Sequence, residues 1–548
     1  MTAEPEARRI TGPHLLGDRT GAALDVFLAV DQDERAATWE AEARRLLDAV
    51  GWSAETTVVR PFPGGAHLFV SAPLDGLYPA TDLAELAWSA ATSGGPTAAG
   101  AIDRLRERIE RDRNPALLAL EAEAARRDLT FLHDDDGASV GSGRGVRLWP
   151  NDEIPDPSTI DWSGIHDVPI GLVTGSNGKT STVRFAAAMA REAGHTPGYT
   201  STDGVSVGRE LIVPTDFAGP MGARVVLRDP RVTIAILETA RGGILRRGLA
   251  VRRADAALVT NIAADHLGDF GVGSVEQLLA AKLVVTRVVP REGAIIFNAD
   301  DALLRGEGER RAGVTWFSRG GPIRGAARQV CLEGDSVVLH AGGRRVLAAI
   351  DDLRHATGAT APYEIENVLA ASALALALGV PESAIAPALR RFEPAVDNPG
   401  RGTVLDVGGA HVLVDYGHNP HGIHALRGFL DTIPARRRLI LLGQAGDRDD
   451  AAIAELAAAA LELSPDRILL KELPTLRRGR GPGEVRAVLR KALLASGFAE
   501  DALEDVETEV EAAERALAWA EPGDLLVLLV HEERGRVLEL LRAAEAER

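Results

Sequence analysis

A glycine-rich loop between an apolar strand and a helix constrains this chain more than any other feature. The loop runs from Val173 to Thr182 with the sequence VTGSNGKTST, after the apolar run IGLV and before the helical pattern FAAAMAREAG. A loop in this context is typical of phosphate-binding sites in α/β folds. The usual spacing of such loops places a glycine at position 173, where this chain has valine, so we interpret it as a shorter variant.

The residue types in the loop predict that it binds phosphate and magnesium. Gly175 and Gly178 let backbone N–H groups turn toward phosphate oxygens, and the start of the helix adds the positive end of its dipole. Lys179 is expected to hold the terminal phosphates, and the Thr180 hydroxyl to hold Mg²⁺. The alternative is a glycine turn that precedes a helix by chance. The full set expected to bind nucleotide here is Gly175, Ser176, Asn177, Gly178, Lys179, Thr180 and Ser181.

Charge and composition narrow the class of protein. The 548 residues carry a formal net charge of −18, which repels nucleic acid, and we expect no nucleic-acid partner. No apolar run reaches the roughly 18–20 residues that span a bilayer, and the charged start does not predict a secretory signal. Cys331 is the only cysteine, which excludes an intramolecular disulfide and a cysteine zinc cluster. We therefore expect a cytoplasmic enzyme without a membrane partner.

Lysine is rare in this chain, with four lysines among 61 basic residues. Where a bare positive charge suffices, arginine has been used, so a remaining lysine can mark a place where guanidinium cannot replace an ammonium group. We expect this of Lys179 and Lys282, and we interpret Lys471 and Lys491 as present by chance.

Short apolar runs bounded by turns predict buried parallel strands with crossover helices from residue 170 onward. The runs in the middle of the chain lie at 232–237, 256–260 and 294–297, and SVVLHAGGRRVLAAI predicts a hairpin at its two glycines. Four later runs predict a second α/β unit: HVLVD, RLILLG, RILL and DLLVLLV. Residues 1–150 have a mixed pattern that ends in a predicted turn region, DDDGASVGSGRG.

Glu238 ends a predicted strand in ILETARGG. A carboxylate at the end of a strand beside a phosphate loop can reach a magnesium ion that bridges the phosphates. The alternative is a glutamate in an ordinary turn.

Several long motifs in a fixed order resemble the Mur ligase superfamily, and within it the Mur-ligase half of cyanophycin synthetases. They are TGSNGKTS, AILETARGGILRRGL, VTNIAADHLGDFGV, NADD, VDYGHNP and LRRGRGPGEV. The resemblance implies an α/β protein with a phosphate-loop central domain built on a parallel sheet (170–397) and a Rossmann-like C-terminal domain (398–548). A linker (151–169) and a smaller α+β N-terminal domain (1–150) precede them, and ITGPHLLGDRTGAALDV resembles the N-terminal domain of cyanophycin synthetases.

The resemblance also implies roles for single residues. It assigns two Mg²⁺ ions to Thr180, Glu238, His266 and a carbamylated Lys282. It assigns ATP contacts to Asn298, Asn367, Arg401 and Asp415, with His418 in the motif of Asp415. Many Mur ligases have His-Asn where this chain has Tyr363 and Glu364, which leaves the adenine contacts open.

The expected activity is an ADP-forming, ATP-dependent ligation of a carboxylate to an amine through an acyl-phosphate. The resemblance implies small substrates, such as an amino acid and an aspartyl-type peptide or another acid. Arginine forks bind carboxylates at two points, so Arg241, Arg478 and Arg480 are candidates for holding the amino-acid substrate. His418 is a further candidate for the substrate site. The alternative for Arg478 and Arg480 is a solvated basic loop.

Other functions stay open at this point. Too few residues precede Ile170 for the ATP-grasp domain of cyanophycin synthetases, so we expect one ATP-consuming site and one kind of bond. A nucleotide-binding regulatory or scaffold protein, a peptidoglycan- or folate-type ligase and a P-loop phosphotransferase are the alternatives. Whether the chain forms a homo-oligomer is open as well.

Overall fold

A computed structural model gives the fold of residues 5–27, 33–265, 267–353 and 360–547. The described chain forms four β-sheets flanked by helices, and it is an α/β protein as the sequence predicts. None of its described helices combines the length and apolar character needed to cross a membrane.

The N-terminal sheet is antiparallel, with the strand order β1-β2-β4-β3. Its strands are β1 (Arg8–Ile10), β2 (Gly21–Phe27), β3 (Thr57–Phe62) and β4 (Gly65–Ser71). The helices of this region are α1 (Asp33–Ala49), α2 (Leu77–Ser93), α3 (Ala99–Asp112) and α4 (Pro115–Arg126). Apolar residues of β2 and β4 pack with Trp39 and the inner face of α2, which gives this region its own core.

A small antiparallel sheet follows, formed by β5 (Phe131–His133), β6 (Ala138–Val140) and β7 (Arg147–Trp149). The prediction of a turn region across DDDGASVGSGRG is therefore wrong for its centre. Ala138 and Val140 are fully buried, and burial of these small apolar residues outweighs the turn preference of the surrounding Asp and Gly. Residues 150–169 then form no strand and no α-helix.

The largest sheet has eleven strands in the order β11-β10-β9-β12-β8-β13-β14-β15-β16-β17-β18. Its strands are β8 (Ile170–Thr174), β9 (Pro197–Ser201), β10 (Gly204–Val207), β11 (Glu210–Val213), β12 (Ile234–Glu238), β13 (Ala256–Val259), β14 (Ala294–Asn298), β15 (Thr315–Ser318), β16 (Arg328–Glu333), β17 (Ser336–Ala341) and β18 (Arg344–Ala349). The seven central strands, in the sheet order β9-β12-β8-β13-β14-β15-β16, are parallel. Antiparallel strands extend both edges, so the sheet is mixed. The predicted hairpin at the two glycines is confirmed as β17–β18.

Helices cover both faces of this sheet, which is why its central strands are apolar throughout. The helices are α5 (Lys179–Glu192), α6 (Pro220–Leu227), α7 (Arg241–Arg247), α8 (Val275–Lys282), α9 (Ala302–Gly308), α10 (Pro362–Ala377), α11 (Ile385–Arg391) and α12 (Pro394–Asp397). α5 and α10 pack together on one face, where Phe185 of α5 stacks on Phe392.

The C-terminal sheet has six strands in the order β19-β20-β24-β21-β22-β23, and only β19 is antiparallel to its neighbour. The strands are β19 (Thr403–Val407), β20 (Ala410–Asp415), β21 (Arg438–Leu442), β22 (Arg467–Lys471), β23 (Leu503–Val506) and β24 (Leu525–Leu529). The helices are α13 (Pro420–Leu430), α14 (Asp450–Leu461), α15 (Glu484–Ala495), α16 (Glu509–Trp519) and α17 (Arg534–Glu547). All four predicted strands of this unit are confirmed.

Lys471, at the end of β22, is fully buried, so its interpretation as a lysine present by chance is wrong. Its ammonium group contacts the Glu509 carboxylate, the Leu529 carbonyl and, at 2.9 Å, His531 Nδ1. A buried ammonium ion requires such partners, because desolvation otherwise disfavours the charge. Lys491, in contrast, is exposed.

Candidate active site

The phosphate loop joins β8 to α5, and α5 begins at Lys179. Gly178 has a φ of +83°, and a Cβ at this position would lie 2.3 Å from Oδ1 of Asn367. Only glycine therefore allows the loop to pass beneath the α10 residue Asn367. The Lys179 ammonium group lies 3.0 Å from the Ser176 carbonyl, folded back along the loop.

Glu238 lies beside the phosphate loop at the end of β12. The Thr180 hydroxyl donates to its Oε2 at 2.7 Å, while its Oε1 is buried and has no hydrogen-bond partner among the described residues. Burial raises the pKa of Glu238, against the opposing effects of Lys179 and of the Thr180 hydroxyl. A buried carboxylate oxygen without a partner, next to a threonine hydroxyl, is an oxygen donor set that fits Mg²⁺.

Lys282, in the last turn of α8, is buried and donates to the Gly175 carbonyl at 2.6 Å. Burial lowers the pKa of Lys282 well below its usual value, and the nearby charge of Lys179 lowers it further. The four residues Lys179, Thr180, Glu238 and Lys282 thus come together around one end of β8, although up to 103 positions of sequence separate them.

His266, the remaining predicted metal ligand, lies outside the described residues. The preceding residue, Asp265, is described and faces the C-terminal sheet. Its carboxylate accepts from Arg448 at 3.1 Å and lies 3.6 Å from Nε2 of His418. The segment that carries His266 is thereby joined to the motif that carries Asp415.

Arg401 connects the segment between α12 and β19 (398–402, here named the hinge) with the phosphate loop. Its Nη2 donates to the Thr202 hydroxyl at 2.8 Å, and this hydroxyl lies 3.2 Å from that of Thr180. The guanidinium group of Arg401 also stacks 3.9 Å above the Tyr416 ring. Arg401 is thus held next to the predicted metal ligands on a rigid support.

Asp203 lies in the turn between β9 and β10 and receives three guanidinium groups, from Arg184, Arg401 and Arg534. Burial alone would raise the pKa of Asp203, but the three arginines hold it far below its usual range. The carboxylate therefore stays ionised. The cluster joins α5, the hinge and the start of α17.

The other predicted ATP-binding residues lie on two sides of the loop. Asp415 ends β20 and accepts the N–H groups of Gly402 and Gly417, each at 2.8 Å. Asn298 ends β14, where its side chain donates to the Thr260 carbonyl at 3.0 Å. Asn367 covers the loop from α10, as described above.

Residues of the C-terminal unit contact the phosphate loop directly. The Asn177 amide lies 3.2 Å from the Asn419 amide and 2.8 Å from Nδ1 of His421. Asn419 belongs to the motif VDYGHNP that contains His418, and His421 follows this motif in the first turn of α13. This places the carboxyl ends of the two parallel sheets opposite each other, the edge where α/β proteins bind ligands.

The predicted substrate arginines belong to α7 and to the loop between β22 and α15. Arg478 pairs with Asp447, and Arg480 pairs with Asp450 at 2.8 Å. Burial raises the pKa of Asp216, while the charges of Lys179 and Arg478 both oppose this rise, so Asp216 lies within electrostatic range of both residues. Arg241 is buried at the start of α7 and adds to the positive charge near Lys282.

Sequence reasoning missed Thr202, Asp203, Asp265, Arg448 and Arg534. Thr202 and Asp203 follow β9 in a short turn, and the sequence assigns no role to either residue. The partners lie far apart in sequence, for example 331 positions between Asp203 and Arg534. No local pattern signals such pairs.

A second cluster has metal-ligand residue types but a different explanation. Ligand atoms of Cys331, Glu333 and His340 lie within 4.8 Å of one another on β16 and β17. Both oxygens of Glu333 are already paired, with His340 at 2.6 Å and with Arg344 at 2.8 Å. Burial also raises the pKa of the Cys331 thiol to about 11. The cluster is a hairpin ion-pair group around a protonated thiol.

Comparison with known proteins gives the family. The Mur ligase middle domain matches residues 173–375, and the Mur ligase glutamate ligase domain matches residues 400–529. Over residues 173–529, this chain belongs to the Mur ligase superfamily. E. coli FolC in complex with DHPP and ADP has the same fold, with a TM-score of 0.50 at 20% identity over 70% of this chain and 90% of that chain.

Cyanophycin synthetases are among its relatives. That of Synechocystis sp. is 36% identical over 386 residues, which are 69% of this chain and 44% of that protein. That of Crocosphaera subtropica is 37% identical over 371 residues, which are 66% and 42%. The chain thus spans less than half the length of these relatives. A UDP-N-acetylmuramoyl-L-alanyl-D-glutamate–2,6-diaminopimelate ligase of Caulobacter vibrioides is 29% identical over 65% of this chain and 72% of that protein.

Glu364, at the start of α10, gives the site a titrating group near pH 8. It is buried beside the hinge, and its Oε2 accepts the Ala361 N–H at 3.3 Å. Burial raises the pKa of Glu364 from 4.5 to about 8, and the charge of Asp415 raises it further. The folded protein therefore keeps a proton here that the unfolded chain loses.

Glu364→Gln should flatten the pH dependence of stability. Between the unfolded and folded pKa values, the folded wild type binds more protons than the unfolded chain, so its stability falls as pH rises from about 4.5 to about 8. The variant cannot titrate, so its melting temperature should exceed that of the wild type by a few degrees at about pH 8 and match it near pH 4.5. Glu366→Gln, which removes a partly exposed partner of Arg319, is the matched control. Parallel curves of melting temperature against pH for wild type and Glu364→Gln would contradict the prediction.

Proposed function

We propose that this protein is an ATP-dependent, ADP-forming ligase that joins a carboxylate to an amine through an acyl-phosphate. The observation that carries the proposal is Glu238, which accepts from the Thr180 hydroxyl beside the phosphate-loop Lys179 and whose buried Oε1 has no hydrogen-bond partner among the described residues. Membership in the Mur ligase superfamily supports the reaction class.

The reaction needs an activated acid, because a carboxylate is a poor electrophile. Transfer of the γ-phosphoryl group converts the acid into an acyl-phosphate, which the amine attacks at the carbonyl carbon as phosphate leaves. Lys179 binds the phosphates during this transfer, in which positioning and electrostatic stabilisation do most of the work. Arg401 adds a second fixed positive charge.

Magnesium would bind at two places in this proposal, with Thr180 and Glu238 at one and His266 and a carbamylated Lys282 at the other. The ions would neutralise the charge that develops on the transferring phosphoryl group. Glu238 is already oriented for this role by the Thr180 hydroxyl at 2.7 Å.

The C-terminal unit excludes water from the acyl-phosphate. Asn419 and His421 cover the phosphate loop at Asn177, and Arg448 holds Asp265 on the opposite side. An acyl-phosphate hydrolyses readily, so a covered site favours attack by the amine over attack by water. In our proposal the unit opens to admit substrates and closes for the reaction.

For the substrates, we propose an amino-acid amine and an aspartyl-type peptide or another small acid. The similarity to cyanophycin synthetases supports this choice, although the chain spans less than half of their length. The substrates are small molecules or short peptides, without nucleic acid or membrane. Nucleotide contacts come from residues 175–181 and from Asn298, Asn367, Arg401 and Asp415.

Ligation should be visible as product formation that requires Lys179. Purified protein with ATP and Mg²⁺ is incubated with a matrix of amino acids against aspartyl and glutamyl peptides, and phosphate release and product masses are recorded. We expect a product lighter by one water than its two parts, and loss of turnover by at least about 100-fold in Lys179→Ala, because a charged phosphate contact is removed. Lys491→Ala, at the exposed lysine, should match wild type.

Other outcomes of this experiment identify the alternatives. A phosphate ester in place of an amide would point to a phosphotransferase. Products with folate or peptidoglycan precursors alone would replace the proposed substrates. Tight ATP binding without turnover for any pair would overturn the ligase and favour a regulatory protein.

Carbamylation of Lys282 supports the second metal position and has its own test. A neutral amine reacts with CO₂ to form a carbamate with release of a proton, and the buried Lys282 is held next to the phosphate loop for such a role. In ¹³C-bicarbonate buffer, we expect a carbamate resonance in wild-type protein that is absent from Lys282→Arg and retained in Lys491→Arg. An active wild-type enzyme without this resonance would show that the unmodified ammonium group is sufficient.

The basic loop after β22 is proposed to hold the carboxylate of the amine substrate. Replacement of Arg478 and Arg480 by alanine should raise KM for this substrate about tenfold and leave KM for ATP unchanged, because a charge-assisted hydrogen bond is lost. Arg490→Ala, which removes the partner of Asp505 on α15, serves as control. An unchanged KM for the amine in the double variant would show that these arginines do not bind the substrate and serve only in their ion pairs with Asp447 and Asp450.

A further inference from the structure

Arg534 reaches the phosphate-loop region from the far end of the chain. It begins α17, directly after β24, and its guanidinium group pairs with Asp203 in the turn between β9 and β10. Arg401 and Arg184 bind the same carboxylate. Three positive charges therefore share one negative charge, and the side chain of Arg534 is only 16% exposed.

A glycine in the hinge leaves space for the side chain of Arg534. Gly400 has a φ of +70°, and a Cβ on it would lie 2.1 Å from Cδ of Arg534. Any other residue would collide with the stem of the arginine, in addition to the cost of the backbone conformation. The path of Arg534 across the hinge thus depends on a glycine.

The turn that precedes Arg534 is held in place by the Glu509 carboxylate. The Glu509 carboxylate accepts the backbone N–H groups of His531, Glu532 and Glu533 at 2.6, 2.8 and 2.6 Å, and it pairs with the buried Lys471. These contacts fix the three residues before Arg534. The guanidinium group is therefore preorganised, with little side-chain entropy left to lose on binding a ligand.

Two N–H groups in this cluster lack partners. Nη1 of Arg534 and Nε of Arg401 are buried and have no hydrogen-bond acceptor among the described residues. A buried donor without an acceptor is costly, and an excess of positive charge favours an anion. The cluster adjoins the Thr180 hydroxyl through Thr202, on the side of the loop where Asn398 contacts Ser181 at 3.1 Å. A phosphate group offers the several oxygens that arginine forks bind.

We propose that Arg534, together with Arg401, binds the phosphate chain of the nucleotide, so that the C-terminal end of the protein contributes directly to the nucleotide site. The proposal rests on the proposed function, because it requires a nucleotide at residues 175–181. When the nucleotide is bound, Arg534 contacts both the Asp203 carboxylate and the phosphate. Arg184 continues to neutralise Asp203.

Nucleotide affinity measured by calorimetry tests this without any ligase substrate. Wild type, Arg534→Ala and Arg536→Ala are titrated with adenosine, ADP and a non-hydrolysable ATP analogue. Arg536 lies two residues further along α17, is 69% exposed and pairs only with Glu533 among the described residues. In Arg534→Ala, we expect affinity for the triphosphate to fall about 10- to 100-fold while adenosine binding stays unchanged. Arg536→Ala should bind as wild type.

Two variants separate phosphate binding from a simple ion pair. If Arg534 binds phosphate, Asp203→Ala should retain triphosphate affinity, because it removes a competing anion, and Arg534→Lys should recover part of it. If Arg534 only holds the two units together, Asp203→Ala and Arg534→Ala should weaken all three ligands equally, and our proposal is overturned. Melting temperatures show which variants are folded; should Asp203→Ala unfold, Arg534→Lys and the ligand series decide.

The outcome also distinguishes this inference from the proposed function. Wild type that binds the triphosphate, with Arg534→Ala binding it equally well, refutes the role of Arg534 and leaves the ligase intact. Wild type that binds no nucleotide refutes both.

Discussion

A buried carboxylate, Glu238, is the constraint around which the active site is organised. Removing a carboxylate from water is costly unless charges and donors compensate it. Here the Thr180 hydroxyl donates to one oxygen, and Lys179 and Arg401 supply positive charge, while the other oxygen has no hydrogen-bond partner among the described residues. These groups come from α5, β12 and the hinge, so the parallel order of the sheet and the position of the C-terminal unit are both needed to satisfy one side chain.

Around the phosphate loop, the contacts between the two α/β units are polar, although Ala361 and Tyr363 at the start of α10 also pack on the apolar core of the C-terminal unit. Asn177 with Asn419, Asp265 with Arg448, and Asp203 with Arg534 are hydrogen bonds and ion pairs. Such contacts exchange readily for water, and interfaces of this kind permit relative motion of domains. A ligase needs both states, since substrates must enter and the acyl-phosphate must then be shielded.

The sequence predicted what is local. The phosphate loop, the apolar strands and the hairpin at two glycines are encoded in consecutive residues, and Thr180 and Glu238 follow because both sit at the ends of predictable elements. The Asp203–Arg534 pair could not be predicted, because 331 positions separate its members and neither belongs to a periodic pattern. The strand Ala138–Val140 was missed because burial outweighed the turn preference of its neighbours. The placement of His266 lies outside the described residues.

Three of the four lysines lie in confined positions, two at the phosphate loop and one beside the turn that precedes Arg534. In a chain that otherwise uses arginine, Lys179 lies on the phosphate loop, Lys282 is buried against Gly175, and Lys471 is buried against Glu509. A compact ammonium group fits where a planar guanidinium does not, and it alone can form a carbamate. Lysine rarity predicted a special place for Lys179 and Lys282 only, and the burial of Lys471 shows that a confined structural position also retains a lysine. Lys471 acts at a distance, because the Glu509 it neutralises holds the turn from which Arg534 extends to Asp203 beside the phosphate loop.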